Sequence, residues 1–175
     1  GQGNYTVLAQ IAAEELGLEV SEVVVATPDT DLTPFSFGGI ASRLTMLAGN
    51  AVRLAAIDCR SQLFAVASKA LEASAEDLEI GGGSISVRGV ANRSIPTSEV
   101  CRMAIFRSGG ESIMAKATYD PPTVMPDANH YGNVAPAYSF VAQAVEVAVD
   151  TETGQVRVVR MVGADDLGKA LNPLA

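Results

Sequence analysis

Two short stretches of this chain place glycines directly before an apolar, helix-forming run, and these are the residues whose types and spacing suit chemistry. Gly1-Gln2-Gly3 precedes Val7, Leu8, Ile11, Ala12 and Leu16, which follow helical spacing. Gly38-Gly39-Ile40-Ala41-Ser42 precedes a second and longer run. A turn of this kind leaves backbone N–H groups exposed at the positive end of a helix dipole, so each favours an anion. Two such turns in one small chain suit a ligand with separated phosphates. Gln2 adds an amide that both donates and accepts, Ser42 and Thr45 offer hydroxyls, and the planar fork of Arg43 can neutralise a phosphate. Taken singly, the glycines are equally well explained by turn geometry and Ser42 by a helix N-cap.

Other chemistries find less support. His130 is the only histidine and stands in the loop Asn129-His130-Tyr131-Gly132-Asn133, so a metal held by His and Cys is nearly excluded. Asp165-Asp166 could do acid and base work, but a turn and a helix cap explain the pair as well. No serine, histidine and acid constellation has a hydrolase spacing. Cys59 and Cys101 lack CxxC spacing and read as reduced core thiols of a cytoplasmic protein. The net charge of −8, with the basic residues scattered, argues against a nucleic-acid partner. No apolar run approaches the roughly 20 residues needed to cross a bilayer, and no secretory signal is visible.

The elements that must position these residues follow from periodicity and turn chemistry. At 175 residues and 48% apolar content, the chain is within the range of one domain with a genuine core, and a single domain over 1–175 is expected. A first helix is expected from Tyr5 to Leu16, ended by Gly17. A buried strand is expected from Ser21 to Thr27, and an ordered loop from Pro28 to Gly39. One long helix is expected from Ser42 to about Ala73, weakened at Gly49 and Asn50, where close packing of another backbone would be a reason to keep the glycine. After Gly81-Gly82-Gly83 come a strand at Ser84–Arg88, a helix led by Thr97 and Ser98 through Phe106, and a strand at Ser112–Tyr119. Asp120–Pro136 reads as an extended loop. Tyr138–Val149 and Gln155–Ala164 flank Asp150-Thr151-Glu152-Thr153-Gly154, a hairpin signal with glycine at the positive-φ position.

Read together, these segments resemble the large molybdopterin subunits of the xanthine dehydrogenase and aldehyde oxidase superfamily. The resemblance runs through Gly1-Gln2-Gly3-Asn4-Tyr5-Thr6, Gln10 to Gly17, Asp29 to Pro34, Ala41-Ser42-Arg43-Leu44-Thr45 and Gly49 to Arg53. It continues through Ala137 to Phe140, Val145-Glu146-Val147, the Asp150 and Thr153-Gly154 turn, and Asp166-Leu167-Gly168-Lys169-Ala170-Leu171-Asn172-Pro173. Within the superfamily, the Ser42-Arg43-x-Thr45 and Ala48-Gly49-Asn50-Ala51 wording is most similar to 4-hydroxybenzoyl-CoA reductase large subunits, although carbon monoxide dehydrogenase and aldehyde oxidoreductase subunits share much of the pattern.

The resemblance implies an α+β module, with a mixed sheet and a C-terminal β-hairpin packed against one long and two shorter helices. It implies a molybdopterin cytosine dinucleotide carrying molybdenum, whose contacts map onto Gln2, Gly3, Gly39, Ile40, Ala41, Ser42, Arg43 and Thr45. It also implies iron-sulfur clusters and FAD on partner domains or subunits, other modules of the same large subunit, and a small-molecule or CoA-thioester substrate. The reaction would be reductive dehydroxylation of 4-hydroxybenzoyl-CoA or, in the alternative, water-dependent hydroxylation of an aldehyde, a purine or a CO-type substrate. The chain opens inside the Gly-Gln-Gly turn and has its first methionine at Met46, which leads us to expect a piece of a longer polypeptide. The superfamily's Val-Gly-Glu-type catalytic motif, its Phe-Arg-Gly-type segment and an earlier Gly-Gly-rich loop do not occur here, so no catalytic or metal-ligating residue is assigned and the chain by itself is expected to be inactive. The rival reading is a non-catalytic interaction or scaffold domain whose glycines serve only turns.

Overall fold

The computed structural model describes residues 2–26, 28–31, 33, 35–107 and 110–170. Gly1, the last residue of the expected 21–27 strand, and the terminal 171–173 part of the resemblance therefore lie outside the described residues. By packing, the chain separates into two compact units, Gly1–Asp120 and Pro121–Ala175. No Gly/Ser linker marks that division in the sequence; the proline pair Pro121-Pro122 stands there instead.

The first unit holds three helices and one sheet. Helix α1 (Asn4–Leu16) ends at Gly17 in the left-handed conformation, and α2 (Leu44–Leu71) ends at Glu72, also left-handed. Helix α3 covers Thr97–Arg107. All three fall close to their expected positions, because helix-forming composition and apolar periodicity are strong local signals, to which the Gly17 stop adds at α1. The long α2 runs through Gly49 unbroken: a Cβ there would lie 2.8 Å from Ile11 Cδ1 of α1, so the missing side chain makes room for the neighbouring helix. Glu15 fastens the same pair of helices, accepting from Arg53 Nε at 2.8 Å and Arg60 Nη1 at 2.7 Å.

Strands β1 (Leu78–Gly81), β2 (Ser84–Val87) and β3 (Ser94–Pro96) form one antiparallel sheet in that order. Its core joins Leu63 and Ala67 of α2 to Leu78, Ile85, Val87 and Val100 of α3, with Ile85 and Val100 fully buried. Two expected strands belong to no ladder among the described residues. Val20–Glu22 is instead a 3₁₀ turn closed by a Glu19–Glu22 capping box, and residues 23–26 are extended. Ser112–Tyr119 forms no strand, and the amide of Gln62 donates to Met114 O at 2.8 Å and accepts from Met114 N at 3.3 Å. Ile113 packs against the core beside this clamp.

The second unit is dominated by a hairpin of β4 (Phe140–Val149) and β5 (Val156–Asp166), antiparallel, with a bulge at Glu146/Val147. The α+β class expected from sequence stands. Its expected detail is corrected in one respect: among the described residues both sheets are wholly antiparallel, not mixed. Before it, Asp127 Oδ1 accepts from Asn129 N and Tyr131 N, and Val124 bridges Asn133, giving the 121–136 loop internal order.

Candidate functional site

The two glycine turns meet. Gln2 Nε2 donates to Gly39 O at 3.5 Å, and Asn4 Nδ2 donates to Gln2 Oε1 at 2.8 Å. A Cβ on Gly39 would stand 2.9 Å from Gln2 Oε1, so the side chain of Gln2 lies against the bare face of that residue. The starts of α1 and α2, separated by 37 positions at this contact, thus share one patch of surface. Asn4 was not singled out in the sequence, yet it orients Gln2; its place two residues on, inside the same polar turn, was the available signal.

Local backbone conformation explains why the patch is rich in donors. Gly3 caps α1 at φ 70° and supplies no side-chain acceptor to the first turn. Arg43 occupies the cap position of α2, likewise with no side-chain cap. Ser42 is therefore not the N-cap that one sequence reading allowed. It stands at φ 54°, directly after Ala41 at φ 51°. Two consecutive non-glycine residues in the left-handed region cost roughly 1–2 kcal/mol each. Left-handed residues beside right-handed ones also turn backbone N–H groups into a concavity that suits an anion. The first-turn N–H groups of Asn4, Tyr5 and Thr6, and of Leu44, Thr45 and Met46, have no intrahelical partner by helix geometry.

The side chains of the second turn are arranged around Arg43. Gly38 stands at φ 73° with its N–H donated to Ser36 Oγ at 3.1 Å, and Arg43 N donates to Ile40 O at 3.2 Å. The guanidinium carbon of Arg43 lies 5.5 Å from the centroid of Phe37, whose ring meets Phe35 edge to face at 5.1 Å and 73°. Neither phenylalanine was singled out from sequence, because a contact between a loop aromatic and an arginine six residues on follows from no periodic pattern. Ile40, Ala41, Ser42 and Thr45 are exposed. The arrangement can hold a phosphorylated ligand through main-chain donors, two hydroxyls and one cation. Gln2, its amide already engaged on both sides, orients the loop as well as facing outward.

His130 stands at φ 65° in an exposed turn, its N–H donated to Asp127 O at 3.0 Å. Asp166 Oδ1 accepts from Gly168 N at 3.1 Å, a turn contact, and Asp165 lies opposite Val141 in the ladder. Cys59 and Cys101 are unbridged, and burial pushes both thiols up, with Asp58 adding to the effect at Cys59. Among the described residues no group of His, Cys, Asp or Glu could hold a metal, and no helix is long and apolar enough to cross a membrane.

Comparison with known proteins gives the family and the fold. The chain is 35% identical over 174 residues to the 6-hydroxypseudooxynicotine dehydrogenase complex subunit gamma of Paenarthrobacter nicotinovorans, covering 99% of this chain and 21% of that protein. It is 32% identical over 181 residues to the putative xanthine dehydrogenase molybdenum-binding subunit of Escherichia coli K12, covering 99% and 22%. Among solved structures, quinoline 2-oxidoreductase from Pseudomonas putida 86 superposes with a TM-score of 0.80 at 32% identity, again over 99% of this chain and 21% of that one. The chain spans about a fifth of the length of the relatives it matches. The family described as the molybdopterin cofactor-binding domain matches residues 1–175, and the chain belongs to it.

Proposed function

We propose that this chain holds the pyrophosphate and pterin of a molybdopterin dinucleotide, in the cytosine form, through Gln2 and Gly3 and through the loop from Gly39, Ile40, Ala41, Ser42 and Arg43 to Thr45. The observation that carries the reading is the contact of Gln2 with Gly39, which joins two uncapped helix starts into one donor-rich patch. The donor set suits the group: backbone N–H, hydroxyl and guanidinium groups match phosphate oxygens and the heteroatom edge of a pterin. When bound, the cofactor supplies the two-electron redox chemistry at molybdenum. The chain's own residues bind and orient it, and the general base comes from another part of the longer protein. Iron-sulfur and FAD subunits are the partners proposed to carry the electrons.

The reaction of the whole protein is then a molybdenum-dependent oxidation or reduction. Quinoline, xanthine and 6-hydroxypseudooxynicotine, which appear in the relatives' names, all contain a nitrogen heterocycle. They support water-dependent hydroxylation of such a ring, while the carbon monoxide dehydrogenase large chains among the relatives support the CO-type alternative. A second reading, reductive dehydroxylation of 4-hydroxybenzoyl-CoA, rests on the Ser42-Arg43-x-Thr45 and Ala48-Gly49-Asn50-Ala51 wording. Molybdenum and nucleotide analysis of the purified full-length protein tests the binding role. Roughly one of each per polypeptide is expected, whereas folded protein lacking both would support the scaffold alternative. Oxidation of a nitrogen heterocycle with an electron acceptor, against reduction of the thioester with a low-potential donor, separates the two reactions.

A further inference from the structure

We infer that Phe37 is a positioning residue, a stacking support that keeps the guanidinium of Arg43 aimed at the phosphates held by the 39–45 loop; this rests on the cofactor reading above. The guanidinium carbon lies 5.5 Å from the Phe37 ring centroid, within the range of a cation–π contact. Phe37 is in turn steadied by the edge-to-face contact with Phe35 at 5.1 Å. Both rings are exposed in this chain, at 68% and 84%, and the guanidinium of Arg43 lies over the Phe37 ring.

Guanidinium geometry makes the two jobs compatible. Stacking uses the flat face of the group, while phosphate is recognised by N–H donors at its edge, so an arginine can do both at once. A free arginine side chain has rotamer freedom to lose on binding, and a preformed stack removes part of that cost before the ligand arrives. The local cation also matters because the chain as a whole carries −8 and would otherwise repel an anionic ligand.

The test uses the full-length protein in its complex, loaded with cofactor, and measures nucleotide and molybdenum per polypeptide during dialysis at low and high salt. Phe37→Leu and Phe37→Met are expected to lose nucleotide roughly two- to fivefold faster than the parent, with rescue by Phe37→Tyr. In an Arg43→Gln background the same Phe37 substitutions are expected to add nothing, because the interaction they remove is already gone. Far-ultraviolet circular dichroism and the melting temperature of each variant separate cofactor loss from misfolding. Loss at the parental rate in Phe37→Leu and Phe37→Met, or an equal effect in both Arg43 backgrounds, would overturn the inference. If Arg43→Gln, Gln2→Ala and Gly39→Val all retain nucleotide like the parent, the cofactor reading itself has failed, a result distinguishable from failure of the stack alone.

Discussion

The two ends of the α1–α2 pair use glycine for opposite purposes. At one end, Gly17 closes α1 against the sheet: its carbonyl accepts from Gly83 N at 3.1 Å, and a Cβ placed on it would come 2.7 Å from Gly81 Cα. Backbone meets backbone there, and nothing can yield. At the other end, a Cβ on Gly39 would meet side chains alone, Gln2 Oε1 at 2.9 Å and Leu44 Cδ1 at 3.4 Å, while Gly3 and Gly38 face open space. A glycine jammed against main chain is holding the fold together; one that faces solvent at a strained, uncapped helix start leaves room for something to approach the backbone.

Substitutions sharpen that contrast, beginning with the largest effect. Gly17→Ala combines a left-handed φ of 61° with a main-chain clash and is expected to cost about 2–4 kcal/mol. It should be read as a lowered unfolding midpoint and a poor yield of folded full-length protein. Glu15→Gln removes a mostly buried carboxylate, 13% exposed, from Arg60 and Arg53. The expected loss is about 1–2 kcal/mol in denaturant titration, discounted because Arg53 is largely in solvent. A stability unchanged within error would mean that the helices are joined by apolar packing alone.

Gly39→Ala is expected to cost under about 1 kcal/mol of stability, since Gln2 can move aside, yet to lower bound nucleotide in the full-length protein. The reverse outcome, large destabilisation with nucleotide retained, would make the two ends alike and dissolve the comparison. The smallest effect is in the hairpin. Asp150 is held below the ordinary carboxylate range by hydrogen bonds from Thr153 N and Glu152 N. With its folded value depressed, its contribution is present above the unfolded value near 4 and disappears as the pH falls through the lower folded one. Protection of the β4–β5 turn amides relative to their intrinsic exchange rate at each pH is expected to fall over that acidic window, and Asp150→Asn to flatten the response.

Much of this was legible in sequence where the signal is local. The helical period from Val7 to Leu16, the Gly17 stop and the Asp150-to-Gly154 turn each depend on a few adjacent residues, and each was found. Strands β1 and β3 were not, being three or four residues long with pairing set by tertiary contact. The 112–119 segment has the residue types of a strand, but its partner is the side chain of Gln62, 52 positions away. At the candidate site, the residue types were readable, and the resemblance led to the same two turns. The Gln2 bridge to Gly39 and the stack of Arg43 on Phe37 depend on distances that no one-dimensional spacing encodes.

Amide hydrogen exchange of the full-length protein, loaded with cofactor against protein produced without molybdopterin synthesis, tests the central claim most directly. The account predicts that loading slows exchange together at Asn4–Thr6 and at Leu44–Met46, because one anionic ligand draws on both sets of backbone donors. Protection at only one of the two helix starts, or at neither, would contradict it.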